Sequence, residues 1–184
     1  MRRFLSLSLL LLTCSFALGQ STFELDLNQS HIQAKVSATA HSFDAVVQKF
    51  DSEIDWPETT SVPAMTRFSF DLKDLKTDND KRDREMLHWL EYEKAPRMTF
   101  TLTQIEQTGG VWHVRGQIEL HQVTREVQFN LFPTTTGTHT QLKGQFALDT
   151  QDYNLPIIKK FGFLKVNPVL QIQLDLVGDT KAKF

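Results

Sequence analysis

Cysteine is almost absent from this chain of 184 residues, which contains one, Cys14. That residue lies in an amino-terminal stretch laid out like a cleavable export signal. Met1-Arg2-Arg3 supplies the positive start, Phe4 to Leu12 an apolar core, and Ala17 and Gly19 the small residues that a signal peptidase reads. Cleavage after Gly19 leaves residues 20–184 with no cysteine, so disulfides are excluded and a hydrophobic core must hold the exported domain together. Leu11-Leu12-Thr13-Cys14 also has a faint likeness to a lipoprotein box, but Thr13 is a poor residue before an acylated cysteine, and ordinary secretion is the better reading. Long apolar runs are missing as well: nothing after the signal approaches the ~20 residues that a membrane helix needs. Basic blocks are missing too. Without Arg2 and Arg3 the chain carries 18 basic and 22 acidic residues, a net −4, which argues against a nucleic-acid partner because phosphate neutralisation supplies that affinity.

Catalytic motifs are lacking in the same way. His31, His41, His88, His113, His121 and His139 are scattered, none at metal-ligand spacing such as HExxH, and no thiolate survives signal removal. His113 and His121 are eight residues apart, so on one unbroken strand they would share a face at ~26 Å and could not chelate one ion. His121 with Arg125 and Glu126 reads as a solvated strand face. There is no GxSxG elbow and no glycine-rich phosphate loop. The chain therefore reads as no enzyme, with no catalytic residue, no metal and no cofactor.

What is present is persistent alternation of apolar and polar residues. Phe23, Leu25 and Leu27 form one apolar series, and Ile32, Ala34, Val36, Ala38 and Ala40 the next; Ile54 and Trp56, then Phe68, Phe70 and Leu72 follow. Later series are Met98, Phe100 and Leu102; Val114 to Leu120; Val127, Phe129 and Leu131; Leu142 to Leu148; and Leu170 to Leu176 in a last strand expected over Val169 to Val177. Eight or nine strands with one wet face each are predicted, joined by turns at Asn28-Gln29-Ser30, Thr108-Gly109-Gly110, Thr136-Gly137 and Asn167-Pro168. No repeat or linker interrupts them, so residues 20–184 form one domain.

One stretch departs from this pattern. In Lys76 to Phe100, Met86, Leu87, Trp89 and Leu90 fall at three- and four-residue spacings and predict a short helix, capped by Asp80 and barred from continuing beyond Ala95 by Pro96. Arg82 and Asp83 are adjacent and cannot share a helix face; they are expected to satisfy strand-end or helix-end backbone groups. So many antiparallel strands allow a sandwich or a closed barrel. In a barrel, small inward residues (Ala34, Ala38, Ala40, Gly116, Gly144) either make room for Phe68, Phe70, Phe100, Phe129 and Phe146 or leave a pocket, and composition does not choose between these.

The order Thr77, Arg82-Asp83, Leu87, Ala95-Pro96-x-Met98-x-Phe100 resembles the signature region of the YceI-like family of periplasmic lipocalin-like proteins. Gly116-x-Ile118-x-Leu120-His121-x-Val123-Thr124-Arg125-x-Val127 resembles its later conserved segment. Ser30-His31-Ile32 with Phe43 resembles its first hairpin, and Phe146-x-Leu148 with Asp152-Tyr153 its penultimate strand and loop. The likeness spans the mature chain, with departures at Gln122 and near His41, where the family usually has glycine. It implies a periplasmic, all-β, eight-stranded or nine-stranded lipocalin-like barrel with one inserted helix that binds a long apolar ligand: an isoprenoid, an isoprenoid quinone or a fatty-acid-like lipid. The pocket wall expected is Ala34, Val36, Ala38, Phe68, Phe70, Met86, Trp89, Leu90, Phe100, Leu102, Ile118, Phe129, Phe146, Phe161 and Phe163. Asn154 to Asn167, with Leu155, Ile157, Ile158, Phe161, Phe163 and Leu164 around Lys159 and Lys160, reads either as a rim or lid facing lipid headgroups or as a packed loop closing one end. Transient contact with a membrane surface accompanies the first of these, and a homodimer is compatible with either. The rival reading of the whole is a structural or interaction module with a filled barrel, in which the helix is a plug.

Overall fold

The computed structural model describes residues 21–39, 41–57, 60–160 and 164–182. The predicted signal segment, Ala40, Phe161 and Phe163 lie outside the described residues. Strands dominate: β1 (Ser21–Leu25), β2 (His31–Ser37), β3 (Ser42–Val47), β4 (Asp51–Asp55), β5 (Met65–Asp71), β6 (Leu75–Lys76), β7 (Arg97–Thr108), β8 (Val111–Leu120), β9 (Val123–Thr136), β10 (His139–Asp149), the short pair β11 (Lys159–Lys160) and β12 (Leu164–Lys165), and β13 (Val169–Ala182). Among the described residues one α-helix, α1 (Asp80–Trp89), and two single 3-10 turns, Leu72–Asp74 and Thr150–Tyr153, interrupt them.

All but the β11–β12 ribbon belong to one antiparallel sheet in the order β4-β5-β7-β8-β9-β10-β13-β2-β3-β6, curled into a barrel. Alternation explains which face turns inward. In β8, Trp112, Val114, Gly116, Ile118 and Leu120 are buried while His113, Arg115, Gln117 and Glu119 are exposed, the period of two that buries one face of a strand. β13 is longer than expected because it serves several neighbours. It pairs with β10 along Val169 to Asp179 on one side, and on the other with β2 and then β1. Where β1 gives way to β2 the ladder is bridged by a side chain: Ser30 Oγ accepts from Val177 N at 3.0 Å and donates to Val177 O at 3.2 Å. No ladder joins the two ends of the sheet path among the described residues; Phe23 of β1 instead meets Trp56 after β4, ring centroids 5.1 Å apart.

The strand count exceeds the expected eight or nine because the predicted Ile32 to Ala40 series ends at Ser37 and the chain turns back as β3, whose Ala45 and Val47 are buried, and because the two-residue strands β6, β11 and β12 add three more. Asp44 points outward between Phe43 and Ala45, but the apolar Val46 stands where the alternation calls for a polar residue and blurs the period of two in this six-residue strand. Leu27 is half exposed in the turn after β1 and does not extend its inner face. The small inward residues do make room for large ones, since a Cβ on Gly116 would overlap the Phe100 ring and one on Gly144 would lie 2.7 Å from Leu131 Cδ2.

The helix is where it was expected, with different ends. Asn79, not Asp80, is the cap: its side chain accepts from Arg82 N at 3.0 Å. The helix stops at Trp89, well before Pro96. Glu91 adopts φ 50° and the reversing bonds run from Tyr92 N to Leu87 O and from Glu91 N to His88 O, the pattern that closes a helix through one left-handed residue. Arg82 and Asp83 satisfy the backbone as expected. Asp83 Oδ1 accepts from Thr77 N at 3.0 Å and Thr77 Oγ1 at 2.6 Å, and Arg82 Nη2 donates to Thr77 O.

Candidate functional site

The barrel interior is hollow at one end and filled at the other. Beneath α1 lies an apolar cavity of about 470 Å³. Its wall is built by β2 (Ile32, Ala34, Val36), β3 (Phe43, Ala45, Val47), the ends of the long strands (Leu120, Leu148, Leu170) and the helix (Met86, Trp89, Leu90). Residues 155–158 and 165–168 complete it, so these described parts of the Asn154 to Asn167 segment border the cavity, and its buried Leu155 packs into the core. Trp89 Nε1 donates to Pro156 O at 2.8 Å and couples the helix to that segment. Thr39 N and Oγ1 both donate to Lys165 O, at 3.0 and 3.1 Å, attaching the same segment to the β2–β3 turn.

Polar side chains are few here. His41, Arg82, Glu85 and Lys165 are the charged or titratable lining residues among those described, and all but the half-buried Arg82 are exposed. The Arg82 guanidinium lies 4.1 Å above the Phe43 ring centroid, a cation–π contact that keeps its stem against the apolar wall. The cavity thus has an apolar body and a polar rim.

Toward the other end the space shrinks to a second chamber of about 90 Å³. Aromatic rings fill this half in a chain of contacts: Phe50 to Phe68 at 6.0 Å, Phe68 to Phe100 at 6.4 Å, Phe100 to Phe129 at 5.8 Å and Phe129 to Phe146 at 4.9 Å. Trp56 and Trp112, 5.2 Å apart and edge to face, close its floor.

The expected wall residues divide between the chambers. Ala34, Val36, Ala38, Met86, Trp89 and Leu90 line the large one; Phe68, Phe100, Leu102, Ile118 and Phe129 the small one; Phe70 and Phe146 both. Phe161 and Phe163 lie outside the described residues. The apolar alternation did not pick out β3, so Ala45, Val47 and Phe43, the last named only in the segment resembling the family's first hairpin, were not expected in the wall; nor were Leu72, Leu75 and Pro156. Sequence reading did not identify Leu120, Leu148, Leu170 and Ile172, whose apolar alternation was evident, because a side chain's level along the barrel axis depends on strand register.

His121 corrects an expectation. It is in the two-residue β8–β9 turn with φ 51°, not on a solvated strand face beside Arg125 and Glu126, and it does not share a strand face with His113. Its Nδ1 meets Tyr153 O at 2.9 Å and its Nε2 meets Glu91 Oε2 at 3.1 Å. The hydrogen bond from His121, followed by that from Lys94, holds the Glu91 carboxyl below its ordinary range. These contacts join the helix exit, the β8–β9 turn and the turn that ends at Tyr153, just before the 154–167 segment, and they build a scaffold behind the cavity wall. No group of three or more metal-ligating side chains occurs among the described residues.

Comparison with known proteins follows this architecture. The sequence profile described as a YceI-like domain matches residues 23–178. A search of curated protein sequences finds no match. Among solved structures, BcnA from Burkholderia cenocepacia superposes with a TM-score of 0.74 at 16% identity, covering 84% of this chain and 99% of that one. A polyisoprenoid binding domain from Saccharophagus degradans, implicated in plant cell wall breakdown, gives 0.66 at 16% identity over 86% and 98%. The Campylobacter jejuni YceI protein gives 0.61 at 11% identity over 75% and 83%.

Proposed function

Because the chain belongs to the YceI-like domain family, we propose that it binds a lipid-like molecule, of isoprenoid, isoprenoid-quinone or fatty-acyl type, inside the barrel for carriage, storage or sensing. The observation that carries this reading is the cavity of about 470 Å³ with apolar walls and polar groups confined to its rim, the form of a site for one amphiphile. Burying each methylene from water is worth ~0.8 kcal/mol. A lipid taken from a bilayer leaves surroundings as apolar as the barrel, so its net transfer is near neutral and it can be both loaded and released. The Saccharophagus domain, described as polyisoprenoid binding, shares the fold and makes isoprenoids one ligand class to test. The proposal is of binding and not catalysis. It includes export to the periplasm, on the strength of the signal pattern in residues 1–19, and transient contact with a membrane surface during loading, on the strength of the apolar Asn154 to Asn167 segment beside the cavity.

Native mass spectrometry of the protein isolated from its own periplasm tests the reading. A stoichiometric co-purifying lipid is the expected result. Protein that is repeatedly empty and takes up neither an isoprenoid nor a fatty acid would overturn it in favour of a structural module, a reading that the ring-filled half of the barrel favours.

A further inference from the structure

Both ring nitrogens of His121 face hydrogen-bond acceptors. Nδ1 lies 2.9 Å from the backbone carbonyl oxygen of Tyr153, and Nε2 lies 3.1 Å from Glu91 Oε2. A carbonyl oxygen and a carboxylate accept hydrogen bonds and give none, and a neutral imidazole carries a single N–H. The two bonds therefore form together only on an imidazolium, which has an N–H on each side. Glu91 is kept as the carboxylate by a second cation, since Lys94 Nζ lies 3.1 Å from the same Oε2. The His121 side chain is only 18% exposed, which limits how far water can stand in for either bond.

These bonds tie together parts of the wall that are distant in sequence. Glu91 follows α1, whose Met86, Trp89 and Leu90 line the large cavity, and Tyr153 precedes residues 155–158, which line it too. Glu91 and His121 both hold left-handed backbone, φ 50° and 51°, a conformation that non-glycine residues keep only where their surroundings impose it. Once the ring loses its proton, one lone pair is left against an acceptor, whichever nitrogen keeps the N–H, and one of the two bonds breaks. The ties that remain, Trp89 Nε1 to Pro156 O at 2.8 Å and Gln122 Nε2 to Lys94 O at 2.9 Å, contain no titrating group. The charged and titratable groups facing this contact are Glu91, Lys94 and the exposed His88 at the end of the helix, and Asp152 and Arg125 beside Tyr153. Among these residue types only histidine ordinarily changes charge between about pH 5 and 8.

We propose that His121 is a proton-operated latch, which fastens the exit of α1 to the turn ending at Tyr153 while the ring is protonated and frees the helix exit when the proton is lost. The latch stands on hydrogen-bond geometry and does not depend on what the cavity holds. Because only the protonated ring makes both bonds, the helix exit is held at low pH and loosens as pH rises.

Hydrogen exchange of the full-length mature protein, corrected for the intrinsic pH dependence of amide exchange, tests it at the backbone N–H groups of Tyr92, Lys94 and Ala95, which close the helix exit through bonds to Leu87 O and Glu91 O. Their protection should fall about fivefold between about pH 5 and about pH 8, while that of Ile118, buried in β8, stays constant. Glu91→Gln offers an N–H to a neutral Nε2 as well as an oxygen to a protonated one, so this variant should keep its protection at the higher pH and lose the response. His121→Asn suits the left-handed backbone but makes neither bond to the same groups; it should show, at both pH values, the weaker protection of the wild type at the higher one. Equal wild-type protection at the two pH values, or a Glu91→Gln variant that responds as the wild type does, overturns the latch. So does a response that survives in His121→Asn, which would assign the effect to His88 in the last turn of the helix.

Discussion

Tyr153 is the most buried aromatic residue described, 2% exposed, and its hydroxyl has no hydrogen-bond partner among the described residues. Burial, with the nearby Asp152 charge, pushes that hydroxyl from its ordinary 10 up to about 12. A raised folded value contributes stability that is complete below the unfolded value and is lost as pH climbs to the folded one. Wild-type stability should therefore fall between about pH 10 and 12 on account of this residue. Tyr153→Phe should lessen that fall and shift stability at neutral pH by no more than about 1 kcal/mol, since no hydrogen bond is lost. Urea midpoints at pH 7 and in alkali check this, and equal alkaline losses in the two proteins would count against it. Near it, His121 and Gln122 hold φ of 51° and 60°, a conformation costing non-glycine residues ~1–2 kcal/mol each. The bonds of His121 to Tyr153 and Glu91, and of Gln122 Nε2 to Lys94 O at 2.9 Å, offset that cost. The histidine was visible in the sequence only as one of six; its role comes from partners about thirty residues away on either side.

At the scale of elements, α1 shows which signals are local. Met86, Leu87, Trp89 and Leu90 were sufficient to find the helix, because one apolar stripe needs only three- and four-residue spacing. Its boundaries were not legible to the same degree: Asn79 competes with Asp80 as cap, and the stop at Glu91 is a left-handed turn held by His121 from another hairpin. The anchoring of the helix separates two kinds of substitution. Asn79→Ala removes one exposed capping bond and should cost about 1 kcal/mol. Asp83→Ala leaves the buried Thr77 N–H and hydroxyl without their shared acceptor, at about 1–3 kcal/mol for each unsatisfied group. The aspartate variant should be the less stable of the two by denaturant titration with unchanged slope, and the reverse order would refute this account of the anchor.

At the scale of the molecule, the hollow and filled readings of the barrel each describe one half. The ring chain from Phe50 to Phe146 fills one end, and the helix spans a cavity at the other. A bound lipid at a hundredfold excess over its Kd stabilises the native state by ~2.7 kcal/mol. For a domain of this size that corresponds to a Tm increase of roughly 5–10 °C, which calorimetry of delipidated and reloaded protein would register; identical melting curves would argue against a ligand in this cavity. The alternation from Phe23 to Leu176, read with no structure, determined an all-β antiparallel fold, and most of the residues named for the pocket wall do face the interior, because the inward or outward sense of a side chain follows from position within its own strand. Tertiary structure alone decided where that interior is empty. Whether Phe146 stacks on Phe129 or Ala34 borders free space depends on how far each strand is shifted against its neighbours, and register is a property of pairs of strands that no single segment carries.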